Sequence, residues 1–182
     1  MPGKHNILNA LGVFEACKAL GVEEEIIFKG LSKFSGTWRR FEILKENPYA
    51  LISDYAHHPT EIKATLEAAR EKYPDRRIVL VFQPHQYQRT LFLFDEFVEA
   101  FFQADKIILA EIFSVAGREK EEIKDKVSSQ KLAQAIGQKG QDAIFIKDKE
   151  QVLEYLKKEI KDNDVVIVMG AGDIVKITEK LL

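Results

Sequence analysis

The chain has 182 residues, which is enough for one well-packed domain and an appendage. Its formal charge is only -2, so the composition gives no support for a nucleic acid or a membrane surface as a partner. A single cysteine excludes a disulfide framework and favours a reducing compartment. No apolar stretch approaches the roughly 20 residues needed to cross a bilayer, and we therefore expect a soluble, cytoplasmic protein.

The first third of the chain predicts two helices followed by a β-hairpin. Apolar residues recur at helical spacing over residues 6–20, where "LGV" supplies a glycine stop, and again over residues 23–34. Two strand-like runs, 40–47 and 49–55, then flank the turn-forming "ENP". This pattern predicts a leading helical segment and an N-terminal hairpin.

From residue 54 onward, helical and strand-like segments alternate. The predicted helices cover 59–73, 90–104, 128–138 and 149–160, with a last helix after "GAGD", and the predicted strands cover 77–83, 106–113, 143–146 and 165–170. The strands are short and rich in Val and Ile, as is typical of strands that helices cover on both faces. We predict an α/β fold with a Rossmann-like, doubly wound and mostly parallel sheet. The polar segment 114–127 is expected to be a mobile loop.

Four polar clusters follow the predicted strands. Residues 54–58 follow the first long strand, Gln83 to His85 follow the second, Glu111 ends the third, and residues 170–173 follow the last. In an open parallel sheet, ligands bind beyond the carboxyl ends of the strands, where loops and helix N-termini converge. We therefore expect the four clusters to share one edge of the sheet and to form a single site.

The adjacent histidines in "DYAHHP" have two interpretations. Pro59 fits the first position of a helix, so one histidine can simply cap that helix and pack against it. Their position at the sheet edge favours contact of at least one of them with a ligand. Metal binding is not expected, because neighbouring turn residues point apart and the spacing of His57 and His58 from His85 and Asp54 matches no zinc pattern.

Two further motifs could bind anions. Arg89 stands at the entrance of a predicted helix, where its guanidinium could hold a carboxylate or phosphate, although a surface ion pair is the commoner fate of an arginine. The turn "GAGD" could accept a phosphate or merely permit close packing, since Val175 replaces the third glycine of the dinucleotide fingerprint. The chain has no G-x-x-x-x-G-K-[ST] loop and therefore no Walker-type cradle for ATP.

Five segments, in this order, resemble the carboxyl-terminal part of the Mur ligase family of peptidoglycan synthesis: "GKHNILNALG", "FSGTWRRFE", "SDYAHHPTEIKATLEAAR", "VFQPHQYQRT" and "VMGAGDI". The resemblance covers nearly the whole chain. It implies that residues 23–182 form the Rossmann-like third domain of a three-domain ligase. Residues 1–22 would be a remnant of the central ATP-binding domain with its linker helix, and the N-terminal and central domains would be missing partners.

The implied reaction is ATP-dependent amide formation through an acyl phosphate, with Mg2+ screening the phosphates. The sequence is most similar to family members that join L-alanine to UDP-N-acetylmuramate. Members that recycle murein tripeptide are one alternative, since they share the AHHP element but usually have Phe where Tyr55 stands. A non-catalytic, Rossmann-like ligand-binding module is the other. Neither activity nor tightly bound ATP or Mg2+ is expected of this fragment alone.

The resemblance also implies roles for individual residues. Tyr55, His57 and Arg89 would be catalytic. Contacts with substrates are expected of Asp54, His58, His85, Gln86, Arg39 and Arg40, with a structural role as the alternative for the last two. His5, Asn6 and Asn9 would lie against the adenine and ribose of ATP, unless His5 and Asn6 merely cap the first helix. Gln86 replaces a family arginine and removes one charge from the expected anion site.

Overall fold

The computed structural model describes residues 3–117 and 121–182. The strands are β1 Glu42–Lys45, β2 Ala50–Asp54, β3 Ile78–Phe82, β4 Lys106–Leu109, β5 Ala143–Phe145 and β6 Val165–Met169. The helices are α1 Lys4–Ala19, α2 Glu24–Lys33, α3 Pro59–Lys72, α4 Tyr87–Phe92, α5 Phe94–Val98, α6 Glu121–Lys124, α7 Ser129–Gln138, α8 Lys149–Glu159 and α9 Lys176–Glu179. A 3-10 turn, Asp173–Val175, precedes α9.

The six strands form one sheet in the order β1-β2-β6-β3-β4-β5. β1 pairs antiparallel with β2, and every other neighbouring pair is parallel. Ile52, Ile167 and Leu80 lie side by side across the three central strands. This topology confirms the predicted α/β, doubly wound sheet with its N-terminal hairpin and leading helix.

Helices cover both faces of the sheet, and successive residues of each central strand contribute to opposite faces. Every residue of β2, β3 and β6 is buried. One core layer lies towards α3, α5 and α7 and includes Leu66, Phe97 and Leu132. The other lies towards α8 and α9 and includes Leu156 and Ile177. Burial on both faces explains why the sequences of β3 and β6 are continuously apolar rather than alternating.

The prediction of one helix over residues 90–104 was wrong. Two short helices, α4 and α5, replace it, and they meet at Leu93, whose φ of -109° and ψ of 24° are not helical. Helix α4 also begins three residues earlier than expected. The break accompanies the packing of Phe97 and Phe101 on Phe82 of β3, with ring centroids 5.9 and 5.3 Å away. Aromatic residues have only moderate helix propensity, and here their packing against β3 outweighs the helical periodicity of residues 90–104.

Three other segments differ from the sequence-based expectation. The strand predicted over 106–113 ends at Leu109, and the residues beyond it leave the sheet except for a bridge between His85 and Phe113. The helix expected after "GAGD" is divided into the 3-10 turn and α9. Within the expected loop 114–127, the described residues include the short helix α6, while residues 118–120 lie outside the described part.

Helix α1 lies beside α2 and α3, and the two N-terminal helices contribute little to the core. No residue of α1 is buried, and Ile27 is the buried residue of α2. Within residues 3–117 and 121–182, no helix is long and apolar enough to cross a membrane.

Candidate active site

The carboxyl ends of β2, β6, β3 and β4 lie next to one another along one edge of the sheet, because these strands are neighbours and run in the same direction. The segments that follow them are 55–58, 170–173, 83–86 and 110–113. Together with Asp54 at the end of β2, these segments include the four clusters singled out in the sequence, and the structure brings them together as expected. We call this set of four segments the rim.

Four aromatic rings form a series across the rim. The ring of Tyr55 meets His57 edge-on, with the centroids 5.4 Å apart. The ring of His57 lies 6.0 Å from that of His85, and His85 stacks on Phe113 at 5.4 Å with an angle of 11° between the rings. Three predicted site residues from two separate loops are thus neighbours. Phe113 was not singled out in the sequence, where it appeared only as the last residue of a predicted strand.

His57 and His58 have different environments. His58 is the N-cap of α3, and its Nδ1 accepts a hydrogen bond from the Thr60 amide at 3.3 Å. Glu61 completes the capping box, since its Oε2 accepts from the amides of His57 at 2.9 Å and His58 at 3.2 Å. The ring of His57 instead lies beside that of His85, and its Nδ1 is 3.0 Å from the carbonyl oxygen of Tyr55. The capping interpretation therefore describes His58, which also lines a separate depression beside Leu93.

Asp54 is buried at the end of β2, and both of its carboxylate oxygens accept main-chain hydrogen bonds. Oδ1 accepts from the amide of Ala56 and Oδ2 from that of Phe41, each at 2.7 Å. Burial raises the pKa of the Asp54 carboxyl, and the two amide hydrogen bonds oppose that rise. These contacts hold the start of the hairpin against the turn that carries Tyr55. In this geometry Asp54 fixes the shape of the rim, and its contact with a substrate stays a prediction.

The two arginines before β1 contact the same tyrosine but differ in exposure. The guanidinium groups of Arg39 and Arg40 lie 4.9 and 5.5 Å from the centre of the Tyr55 ring. Arg40 is exposed. Arg39 is 5% exposed and donates from Nη2 to the carbonyl oxygens of Gly170 and Gly172, and burial lowers the pKa of its guanidinium. These contacts favour the structural role for Arg39, Arg40 is accessible to a ligand, and contact of either arginine with a substrate stays a prediction.

Gln86 and Arg89 belong to the entrance of α4. Gln86 has a φ of 72°, a value that residues other than glycine rarely adopt. Its main-chain amide donates a hydrogen bond to the carbonyl oxygen of Phe113 at 2.9 Å. Arg89 is half-buried, and its Nη1 donates to the carbonyl oxygen of His85 at 3.4 Å. The predicted anion-binding arginine thus lies beside the predicted histidine of the same loop.

The turn after β6 is held by Gln83, which is 5% exposed. Its Oε1 accepts from the amide of Ile174 at 3.1 Å, and its Nε2 donates to Oδ1 of Asp173 at 3.3 Å. Asp173 also forms an ion pair with Lys149. A Cβ at Gly172 would overlap the Gln83 side chain and the Phe113 ring. This glycine of the "GAGD" turn therefore permits close packing, which was one of the two interpretations of this motif.

His5, Asn6 and Asn9 lie on α1, outside the ring series. They line one wall of a cavity of about 1150 Å³ between the N-terminal helices and the start of α3. Arg40, Asp54, Thr60 and Glu61 also line this cavity. Among the described residues, no group of three or more His, Cys, Asp or Glu side chains could hold a metal ion.

The sequence profile of the family described as "Mur ligase, glutamate ligase domain" matches residues 39–172. The chain is 50% identical, over its whole length, to the UDP-N-acetylmuramate–L-alanine ligase of Acetivibrio thermocellus, and it spans 38% of that relative.

Two solved structures extend the comparison. The UDP-N-acetylmuramate-alanine ligase of Thermotoga maritima superposes with a TM-score of 0.81 at 28% identity, over 99% of this chain and 37% of that one. The murein peptide ligase of Psychrobacter arcticus superposes with a TM-score of 0.67 at 25% identity, over 100% of this chain and 37% of that one. Because the profile covers residues 39–172, which are most of the chain and nearly all of the rim, the chain belongs to the Mur ligase family.

Proposed function

We propose that the chain is the carboxyl-terminal part of a cytoplasmic, ATP-dependent ligase that joins L-alanine to UDP-N-acetylmuramate in peptidoglycan precursor synthesis. One observation carries this proposal. The rings of Tyr55, His57 and His85 and the guanidinium of Arg89 gather at the carboxyl ends of parallel strands, in a chain that is 50% identical throughout to a ligase named for that reaction.

In the proposed reaction, ATP transfers its terminal phosphoryl group to the muramoyl carboxylate, which gives an acyl phosphate and ADP. The amine of L-alanine attacks the acyl carbon, loses a proton and expels phosphate as the amide forms. Arg89 would bind the carboxylate of L-alanine through its planar set of N–H donors. Tyr55 and His57 would orient the amine and donate hydrogen bonds to the charge that develops on the acyl oxygen.

This chain would bind only part of ATP. The imidazole and amide groups of His5, Asn6 and Asn9 suit hydrogen bonding to adenine and ribose, and the cavity that they line is large enough for a nucleoside. The sequence has no Walker loop, and the described residues include no metal-ligating cluster. The triphosphate and Mg2+ would therefore be held mainly by another part of the polypeptide, where the ion would screen the phosphate charges.

The surface of α1 supports the proposed domain organisation, with residues 1–22 belonging to a preceding central domain and residues 23–182 forming the third domain. Ile7 and Leu8 are each 68% exposed and Leu11 is 54% exposed, although all three are apolar. A contiguous exposed apolar surface of this kind is typical of a contact with another domain or protein. The family profile begins at Arg39, so α1 lies outside the matched region, as its assignment to a preceding domain requires.

The site assignment is tested in the longer polypeptide encoded by the gene. We expect His57→Ala and Arg89→Ala to lower L-alanine ligation by about tenfold or more, the scale of losing one donor to the transition state. Arg70→Ala is the matched control, because the Arg70 guanidinium binds the carbonyl oxygens of Arg76 and Gln103 at the opposite edge of the sheet. Near-normal ligation by both the His57 and the Arg89 variants would refute the assignment.

The acceptor and the role of the chain are tested separately. L-alanine and a murein tripeptide are compared as acceptors in the longer polypeptide, and a preference for the tripeptide would overturn the proposed substrate. Calorimetry then measures binding of ATP and of L-alanine to the 182-residue chain alone. Tight binding of either would favour the non-catalytic module, whereas the ligase proposal predicts weak binding in the absence of the other domains.

A further inference from the structure

The main chain of Phe113 is fixed to the loop that follows β3. Its amide donates to the carbonyl oxygen of Pro84 at 2.8 Å, and its carbonyl oxygen accepts from the amide of Gln86 at 2.9 Å. The preceding residue, Ile112, is 4% exposed. Two hydrogen bonds and a buried neighbour therefore set the position from which the Phe113 side chain projects.

The ring of Phe113 contacts two other parts of the rim. It stacks on His85, with the ring centroids 5.4 Å apart and the planes only 11° from parallel. The main chain at Gly172 also approaches this ring so closely that a Cβ there would lie 2.7 Å from two of its carbon atoms. Phe113 thus joins the segments that follow β3, β4 and β6.

We propose that Phe113 is a positioning residue that fixes the orientation of the His85 imidazole. An imidazole ring can rotate about its χ2 bond, and a parallel aromatic neighbour at stacking distance favours one plane over the others. In the proposed reaction His85 would contact L-alanine, and this inference rests on the proposed function only for that contact. The orientation of the ring is a property of this chain and is measured without any reaction.

The first test uses nuclear magnetic resonance on the 182-residue chain, whose four histidines give few imidazole signals. In the wild-type chain we expect nuclear Overhauser contacts between the ring protons of His85 and Phe113, and ring-current shifts of the His85 protons. Phe113→Leu removes the flat partner and should abolish those shifts, whereas Phe113→Tyr keeps the plane and should preserve them. Phe28→Leu is the control, because Phe28 pairs with Phe14 in the N-terminal helices.

The second test measures ligation kinetics in the longer polypeptide. We expect Phe113→Leu to raise the KM for L-alanine by about 2- to 10-fold, the range that corresponds to one aromatic pair, and to leave the KM for ATP unchanged. Phe113→Tyr should restore the wild-type value. A merely structural role would instead lower the amount of active enzyme without separating the two KM values.

The outcomes distinguish this inference from the proposed function. Absence of contacts between the two rings in the wild-type chain would overturn the positioning role, even if Phe113→Leu failed to fold. Unchanged His85 signals or an unchanged KM for L-alanine in a folded Phe113→Leu variant would also overturn it. If the ring contacts are present but the longer polypeptide does not use L-alanine, the proposed function fails while the orientation of His85 by Phe113 stands.

Discussion

Replacing Gly172 with alanine should destabilise the rim through steric overlap. Gly172 has a negative φ of -87°, so backbone conformation alone does not require glycine there. The added Cβ would overlap Oε1 of Gln83 and lie 2.7 Å from two ring carbons of Phe113, whereas ordinary contact begins at 3.4 Å. Overpacking of this kind costs about 1–3 kcal/mol. Displacing Gln83 would also weaken the hydrogen bond from the Ile174 amide, at a further cost of about 1 kcal/mol.

We therefore expect Gly172→Ala to lower the free energy of unfolding by about 2–4 kcal/mol, as measured by urea denaturation followed by circular dichroism. The matched control is Gly137→Ala in α7, where a Cβ would have no heavy atom within 4 Å. That substitution should stabilise the chain by about 0.5–1 kcal/mol, since alanine is the better helix former. Equal stabilities of Gly172→Ala and the wild-type chain would refute the argument from close packing.

Three further substitutions test the electrostatics of the fold. Although burial opposes the effect, hydrogen bonds from main-chain amides lower the pKa of Glu61, so its stabilisation is present above about pH 4.5 and is lost as the pH falls through the folded pKa. Glu61→Gln should therefore cost about 1 kcal/mol at pH 7, limited by solvent screening, and progressively less in urea titrations as the pH falls below about 4.5. Burial and a hydrogen bond to Glu46 raise the pKa of Tyr73 to about 12, so the chain should lose stability between about pH 10 and 12. Phenolate absorbance should show one tyrosine that titrates later than the others, and Tyr73→Phe should remove that late signal. Arg39→Met leaves the carbonyl oxygens of Gly170 and Gly172 without their donor and should lower the free energy of unfolding by about 2–3 kcal/mol, as measured by urea denaturation. An unchanged midpoint would contradict the structural role of Arg39.

The central part of the fold could be predicted from local sequence because its signals act over a few residues. Continuous apolar runs marked β3 and β6, and Pro59 marked the start of α3. The same reasoning failed for residues 90–104, where the helical period continues but the chain bends at Leu93. The bend accompanies packing of Phe97 and Phe101 against Phe82, a strand residue that is distant in sequence, so no local pattern could indicate it.

By itself, the sequence determined which residues would follow β2, β3 and β6, because strand positions and turn residues fix where those polar clusters begin. Only the tertiary structure decided how those clusters meet. It places the ring of His57 beside His85 and that of His58 at the N-cap of α3. It also buries Arg39 beneath the turn after β6 and stacks Phe113 on His85. These contacts depend on the order β2-β6-β3-β4 in the sheet, which brings together side chains from segments far apart along the chain.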